Sequence, residues 1–254
     1  SMPTHDHAIR PARGRVMGDH PRNRVVAVDA KPEPIHVGLS KSAIIVVDMQ
    51  NDFGAPGGMF DRAGIDITPI RRIVEPTSRV LTAARRTGLP IVYLKQEHSP
   101  DLADAGDERS PHRIKHRPLA LGEPVRAPDG TAGRILVKDT WNTAILPDLA
   151  PQEGDVVVSK HRYSGFYETA LDERLRALGV ASLIFVGATT SVCVESTLRD
   201  AMYRDYQCVL LADCTAEPIG FGLPRSNHEA SLLTIELLFG WVSTSDQFMT
   251  ALSQ

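Results

Sequence analysis

Cysteine is scarce in this chain. Its 254 residues hold three, Cys193, Cys208 and Cys214. None lies in a CxxC pair and none has metal-ligand spacing, which argues against a disulfide framework or a cysteine-held metal and fits a reducing, cytoplasmic setting. Histidine is scattered, with no HExxH run. Charge of one sign is also lacking: the formal net charge is -3 and no Lys/Arg stripe gathers, so nucleic acid is not an expected partner. No apolar run is long enough to span a membrane. No apolar segment follows the first arginines, so no secretory signal is expected.

What is present is ordinary globular material, 42% hydrophobic and 23% charged, enough for one large α/β domain or two small ones. Residues 1–40 are rich in Pro, Arg, His and Asp and lack periodicity. They read as an N-terminal extension, mobile or wrapping a neighbouring subunit, with 24–28 as a candidate edge strand. From 41 onward, strand and helix patterns alternate. Apolar, largely β-branched runs at 42–47, 90–94, 155–159, 183–186, 207–213 and 241–243 suit strands buried on both faces. Helical patterns fill 66–87 (with Pro76 kinking or splitting it), 169–178, the stretch after Ser191, 226–239 and 245–252. In 226–239 the apolar positions are Ala230, Leu233, Ile235, Leu237 and Leu238. This alternation predicts a single doubly wound α/β domain over 41–254, a parallel sheet of about six strands with helices on both faces. Residues 99–150, full of Pro, Gly and charge, form a long insertion whose Trp141 and Asn142 are expected to reach the site.

Ligands of such sheets bind at the carboxyl ends of the strands, and three strands end in chemistry there. Asp48 follows the run Ile44-Ile-Val-Val47, a costly place for a carboxylate unless it caps the next element or serves a site. Lys160 follows the run ending at Ser159. Cys193 falls in the first turn of the helix that begins after Gly187-Ala-Thr-Thr-Ser191, where free N–H groups and the helix dipole favour a thiolate. The alternative for Cys193 is a small buried hydrophobe. Cys208 and Cys214 read as structural. Gln96, Glu97 and His98 leave another strand end and either line the same edge or are solvated. Glu195 is expected to pair with Arg199 one helical turn away. An acid, a cation and a thiol at one sheet edge make a nucleophilic site.

Three motifs in order, Ile44-Ile-Val-Val-Asp-Met-Gln-Asn-Asp-Phe53, the lysine after Val156-Val-Val-Ser159, and Gly187-Ala-Thr-Thr-Ser-Val-Cys193, resemble the isochorismatase-like cysteine hydrolases over roughly 40–252. The segments 160–166, 192–200 and 239–243 look most like the ureidoacrylate amidohydrolases of pyrimidine breakdown. Within the insertion, 100–104 and 133–136 look more like biuret hydrolases.

The resemblance implies Asp48 as base, Lys160 as the cationic triad member and Cys193 as nucleophile. It further implies a cis peptide between Ala188 and Thr189, with the backbone N–H groups of Thr189 and Cys193 as oxyanion hole. Tyr163 matches the amidohydrolase motif three residues after the lysine. With Phe53 and Gln96 it makes the candidate substrate-binding set. The expected activity is cysteine-dependent hydrolysis of a C–N bond in a small ureido compound, ureidoacrylate first, with biuret or another small amide or urea as alternative. A non-catalytic binding scaffold is the reading of another class. Isochorismate cleavage fits less well, since that branch uses no cysteine nucleophile. The related nicotinamidases hold a metal through an Asp and several His after the first strand. No His stands between Asp48 and His98, so no metal and no cofactor are expected. The family also implies a homo-oligomer, a dimer or tetramer.

Overall fold

The computed structural model describes residues 24–254. The chain opens with an antiparallel hairpin of β1 (Val25–Val28) and β2 (Ile35–Gly38). The central sheet then takes β3 (Ser42–Val47), β4 (Ile91–Gln96), β7 (Val156–Lys160), β8 (Ser182–Ala188), β9 (Gln207–Ala216) and β10 (Trp241–Ser243). Its six strands are all parallel, in the order β10-β9-β8-β3-β4-β7. A minor hairpin, β5 (Pro124–Arg126) and β6 (Ala132–Arg134), lies in the insertion.

Both faces of this sheet are covered, as the continuous apolar strands require. On β3, Ile44 and Val46 join one core cluster while Ala43, Ile45 and Val47 join the other. Between β3 and β4 the chain forms α1 (Asn51–Gly54), α2 (Met59–Arg62), α3 (Thr68–Arg72) and α4 (Val74–Thr87). The insertion then supplies α5 (Pro111–His116), and α6 (Leu171–Ala177), α7 (Glu195–Tyr203), α8 (Asn227–Thr234) and α9 (Ser245–Leu252) follow. Helices α4 and α9 pack on the first face with the β1–β2 hairpin, and α6 and α7 on the second. The expected 66–87 helix is split at Ile73, with Pro76 in the first turn of α4, where its missing N–H costs nothing.

Two expectations need correction. Residues 1–23 lie outside the described residues, but 24–40 do not stand apart from the domain. Val26, Val28, Ile35, Val37 and Leu39 are buried in this chain's own core. The hairpin is tied to β10 by two backbone hydrogen bonds between Lys31 and Val242 (2.8 and 2.9 Å), so the strand at 25–28 belongs to a separate small sheet. The helix at 226–239 stops at Thr234 and continues as a π-turn over Ile235–Phe239. Of its five expected apolar positions only Ile235 is buried, and Leu237 and Leu238 are 64% and 70% exposed. Among the described residues no helix is long and apolar enough to cross a membrane.

Chain order places the site. From β3 the chain moves outward through β4 to β7, then returns to β8 on the other side of β3 and runs outward through β9 to β10. The loops after β3 and β8 therefore diverge and leave a crevice between their carboxyl ends.

Candidate active site

Asp48 and Cys193 flank that crevice. Asp48 turns the chain out of β3 with φ at +50°, a left-handed conformation that Asp tolerates better than most residues. Gly187 permits the close approach of β8: its φ is +121°, and a Cβ there would stand 2.2 Å from the Val47 carbonyl oxygen. Beyond it the Ala188–Thr189 peptide is cis, as the resemblance implied. Thr190–Val194 forms a π-turn leading into α7. This turn is pinned from outside. The buried Glu217 carboxylate accepts from the Ser191 backbone N–H (2.9 Å) and hydroxyl, and Thr190 Oγ1 lies 2.8 Å from His228 Nδ1.

Lys160, the last residue of β7, is as buried as Asp48, both at 1% exposure. Its ammonium donates to Asp48 Oδ2 (2.9 Å), Arg162 O (3.0 Å) and Gln96 Oε1 (3.3 Å). Three donors thus meet three acceptors, and Lys160 acts by its charge rather than by a free N–H. Asp48 Oδ1 is buried with no hydrogen-bond partner. Gln96 closes β4, and its backbone N–H and carbonyl are both gripped by the Gln50 side-chain amide (2.9 and 3.0 Å). Its Oε1 accepts from the Cys193 thiol at 3.4 Å.

The electrostatics differ from the expected helix-start thiolate. Burial pushes the Cys193 thiol well above its ordinary value, and the Asp48 charge beside it adds to this against the pull of Lys160. Loss of water thus works against the helix-start dipole, and Asp48 stands beside the sulfur as a base. Burial likewise raises Asp48 against the opposing Lys160 charge, making it a stronger base than an exposed carboxylate. Burial pulls Lys160 down, but Asp48 and Cys193 together hold it above its ordinary value, so it stays cationic.

The crevice holds a cavity of about 340 Å³. Asp48 and Cys193 reach it, as do Ala188 and Thr189 around the cis bond. Phe53, Gln96 and Tyr163 also line it; Phe53 is braced edge-on by Phe60, with ring centres 5.1 Å apart. Lys160 stands behind Asp48. His98 and Glu97 are buried rather than solvated. Glu97 accepts from Ser159 and pairs with Lys95 at 3.4 Å, away from the cavity. Glu195 meets Arg199 at 3.8 Å, as its spacing suggested. Cys208 and Cys214 are buried free thiols, the latter pushed up to about 12 by burial.

Trp141 and Asn142 are not among the residues lining the cavity. They hold α1 instead: Asn142 donates to Asp52 Oδ1 (2.7 Å), and the Trp141 carbonyl accepts from Asn51 (2.8 Å). The insertion reaches the cavity through Lys115, His116 and Leu119, which sequence reasoning missed. The visible signal was Ser110-Pro111 as a helix start with His112 and His116 one turn apart. Among the described residues no group of His, Cys, Asp and Glu is arranged to hold a metal ion.

Residues 42–247 match the family model described as the isochorismatase domain. The chain belongs to the isochorismatase family. It is 41% identical to the ureidoacrylate amidohydrolase RutB of Methylobacterium radiotolerans over 96% of this chain and 89% of the relative. It is equally similar to the enzyme of that name from Yersinia enterocolitica, over 89% and 95%. Among solved structures it resembles a cysteine hydrolase from Pseudomonas syringae pv. phaseolicola (31% identity, TM-score 0.68, 84% of this chain and 93% of that one). It also resembles N-carbamoylsarcosine amidase from Thermoplasma acidophilum (28%, TM-score 0.59, 81% and 97%). This isochorismatase-family member is a hydrolase of carbon–nitrogen bonds other than peptide bonds.

Proposed function

We propose that the protein cleaves the C–N bond of a small ureido compound, ureidoacrylate foremost, through a covalent intermediate on Cys193. The observation that carries this is Asp48 Oδ1, a buried acceptor to which no other group donates, at the same cavity as the Cys193 thiol. Relatives named for ureidoacrylate and a structural neighbour named for an N-carbamoyl substrate support the ureido class.

Asp48 takes the Cys193 proton and the sulfur attacks the ureido carbonyl carbon. The carbonyl oxygen becomes an oxyanion against the backbone N–H groups of Thr189 and Cys193, where one such donor contributes about 3 kcal/mol. Collapse breaks the C–N bond, and Asp48 returns the proton to the departing amine nitrogen. With ureidoacrylate this releases aminoacrylate and leaves a carbamoyl thioester. Asp48 then deprotonates a water, which attacks that carbonyl, frees the thiol and yields carbamate. Carbamate decays to ammonia and carbon dioxide. Lys160 keeps Asp48 ionised before each proton transfer. Phe53 supplies an apolar wall, and Gln96 and Tyr163 supply polar contacts.

The test is ammonia release from ureidoacrylate and from biuret side by side, with Cys193→Ala as blank. Preferred turnover of ureidoacrylate, absent in the blank, is expected. Preference for biuret would assign specificity to the insertion. Turnover by Cys193→Ala would end the covalent mechanism.

A further inference from the structure

Five hydrogen bonds lead residue by residue from Cys193 to Asp104, and all donate in the same direction. The thiol donates to Gln96 Oε1 (3.4 Å) and Gln96 Nε2 to His116 Nε2 (3.5 Å). His116 Nδ1 donates to the His112 carbonyl (2.7 Å), His112 Nε2 to His98 Nε2 (3.4 Å), and His98 Nδ1 to Asp104 Oδ1 (3.0 Å).

The acceptors at each step assign the protons. A carbonyl oxygen only accepts, so His116 Nδ1 carries hydrogen. Burial holds this imidazole below its ordinary proton affinity, and the Arg162 and Lys160 charges add to that, so it is neutral and its Nε2 offers a lone pair. The group facing that lone pair must be the NH2 end of Gln96, which turns the oxygen end toward Lys160 and Cys193. The other end agrees independently, since an ammonium can only donate. Farther out, the Asp104 carboxylate fixes hydrogen on His98 Nδ1. His112 Nε2 must then donate, which leaves its Nδ1 as a bare lone pair, and that atom is buried and unpartnered.

We propose that His116 is a positioning residue: by accepting from the Gln96 amide it holds Gln96 Oε1 on Lys160 and on the Cys193 thiol, leaving Asp48 Oδ1 clear to receive the proton. This rests on Cys193 being the nucleophile. Without the acceptor on α5 only Lys160 opposes inversion of the amide, which sets its NH2 against the ammonium and the sulfur in a fraction of molecules. The other ionisable groups acting on Cys193 are Asp48 from β3, Lys160 from β7 and Tyr163 from the loop after it.

Two substitutions separate this role from packing. His116→Phe keeps the ring's bulk and loses the acceptor, and His116→Gln restores an acceptor oxygen. For His116→Phe, kcat falls roughly 10- to 100-fold while KM stays within about threefold, the scale expected when a reacting group is misplaced. His116→Gln recovers most of that loss. Alkylation of Cys193 by iodoacetamide at one fixed pH quickens in His116→Phe, because an inverted amide donates to the thiolate, and returns toward wild type in His116→Gln. In a Gln96→Met background, His116→Phe costs nothing further. Wild-type kcat and alkylation in His116→Phe, or equal damage in both His116 variants, overturns the proposal. If His116→Phe does not fold, Gln96→Met leaves α5 intact, and an unchanged alkylation rate there overturns it as well. Alkylation reads the thiol whichever amide is turned over, so a wrong substrate leaves this test standing. Full turnover after alkylation would instead remove Cys193 as nucleophile.

Discussion

Lys160 Nζ lies 2.9 Å from Asp48 Oδ2, and the two side chains are buried at the carboxyl end of the sheet. A buried pair of this kind costs much in lost hydration, and removing one partner strands the other charge. Lys160→Met is therefore expected to lose turnover and about 3–5 kcal/mol of stability. The double variant Asp48→Asn, Lys160→Met regains stability and stays inactive. Urea denaturation beside a turnover assay checks both; a stable, active Lys160→Met would show that the pair is not a functional unit.

The pH dependence of kcat/KM follows from Asp48. Burial raises its proton affinity above the ordinary 3.8. Below its titration Asp48 is protonated and cannot accept from the thiol, so activity falls as pH falls. The acid limb is expected above 3.8, with an apparent value belonging to the coupled Asp48, Lys160 and Cys193 set. A profile still flat at pH 4 would contradict a base of this kind.

Asp52 joins the loop after β3 to the insertion. Its Oδ1 accepts from Met59 N (3.0 Å) and Asn142 Nδ2 (2.7 Å), and its Oδ2 from Leu136 N (2.8 Å). Burial pushes its carboxyl up to about 6. Asp52→Asn sets an NH2 against one of these donors and is expected to cost about 1–3 kcal/mol. A denaturation midpoint equal to wild type would mean the loop is held by other contacts.

Gly187→Ala places a methyl 2.2 Å from the Val47 carbonyl oxygen at φ +121°. Overpacking of this kind costs about 1–3 kcal/mol, and the backbone strain adds to it. Because the displaced strands carry Asp48 and Cys193, activity should fall along with melting temperature. An active variant with unchanged melting would show that β8 can shift freely.

The six-stranded sheet was legible because 43–47 and 183–186 are apolar at every position, a pattern that only two covered faces explain. Asp48 and Lys160 were legible because a charged residue at the end of such a run needs a reason, and Cys193 because it falls in the first turn of the helix that follows one. Of the hairpin at 25–38 only the first strand was legible, at 24–28, since Ile35–Gly38 is too short and too close to prolines to carry a period. Leu237 and Leu238 misled, because helical spacing tells which residues share a face and not what covers it.

Local pattern was enough for the six strands of the central sheet, their parallel pairing and the residue types at their carboxyl ends. Those follow from local periodicity and from where apolar runs stop, which are properties of neighbouring residues. Only the folded chain shows that burial raises the Cys193 thiol, that Asp48 Oδ1 is left without another donor, and that α5 of the insertion reaches Gln96. Each depends on groups far apart in the chain and on the water their meeting removes, and no local pattern records either.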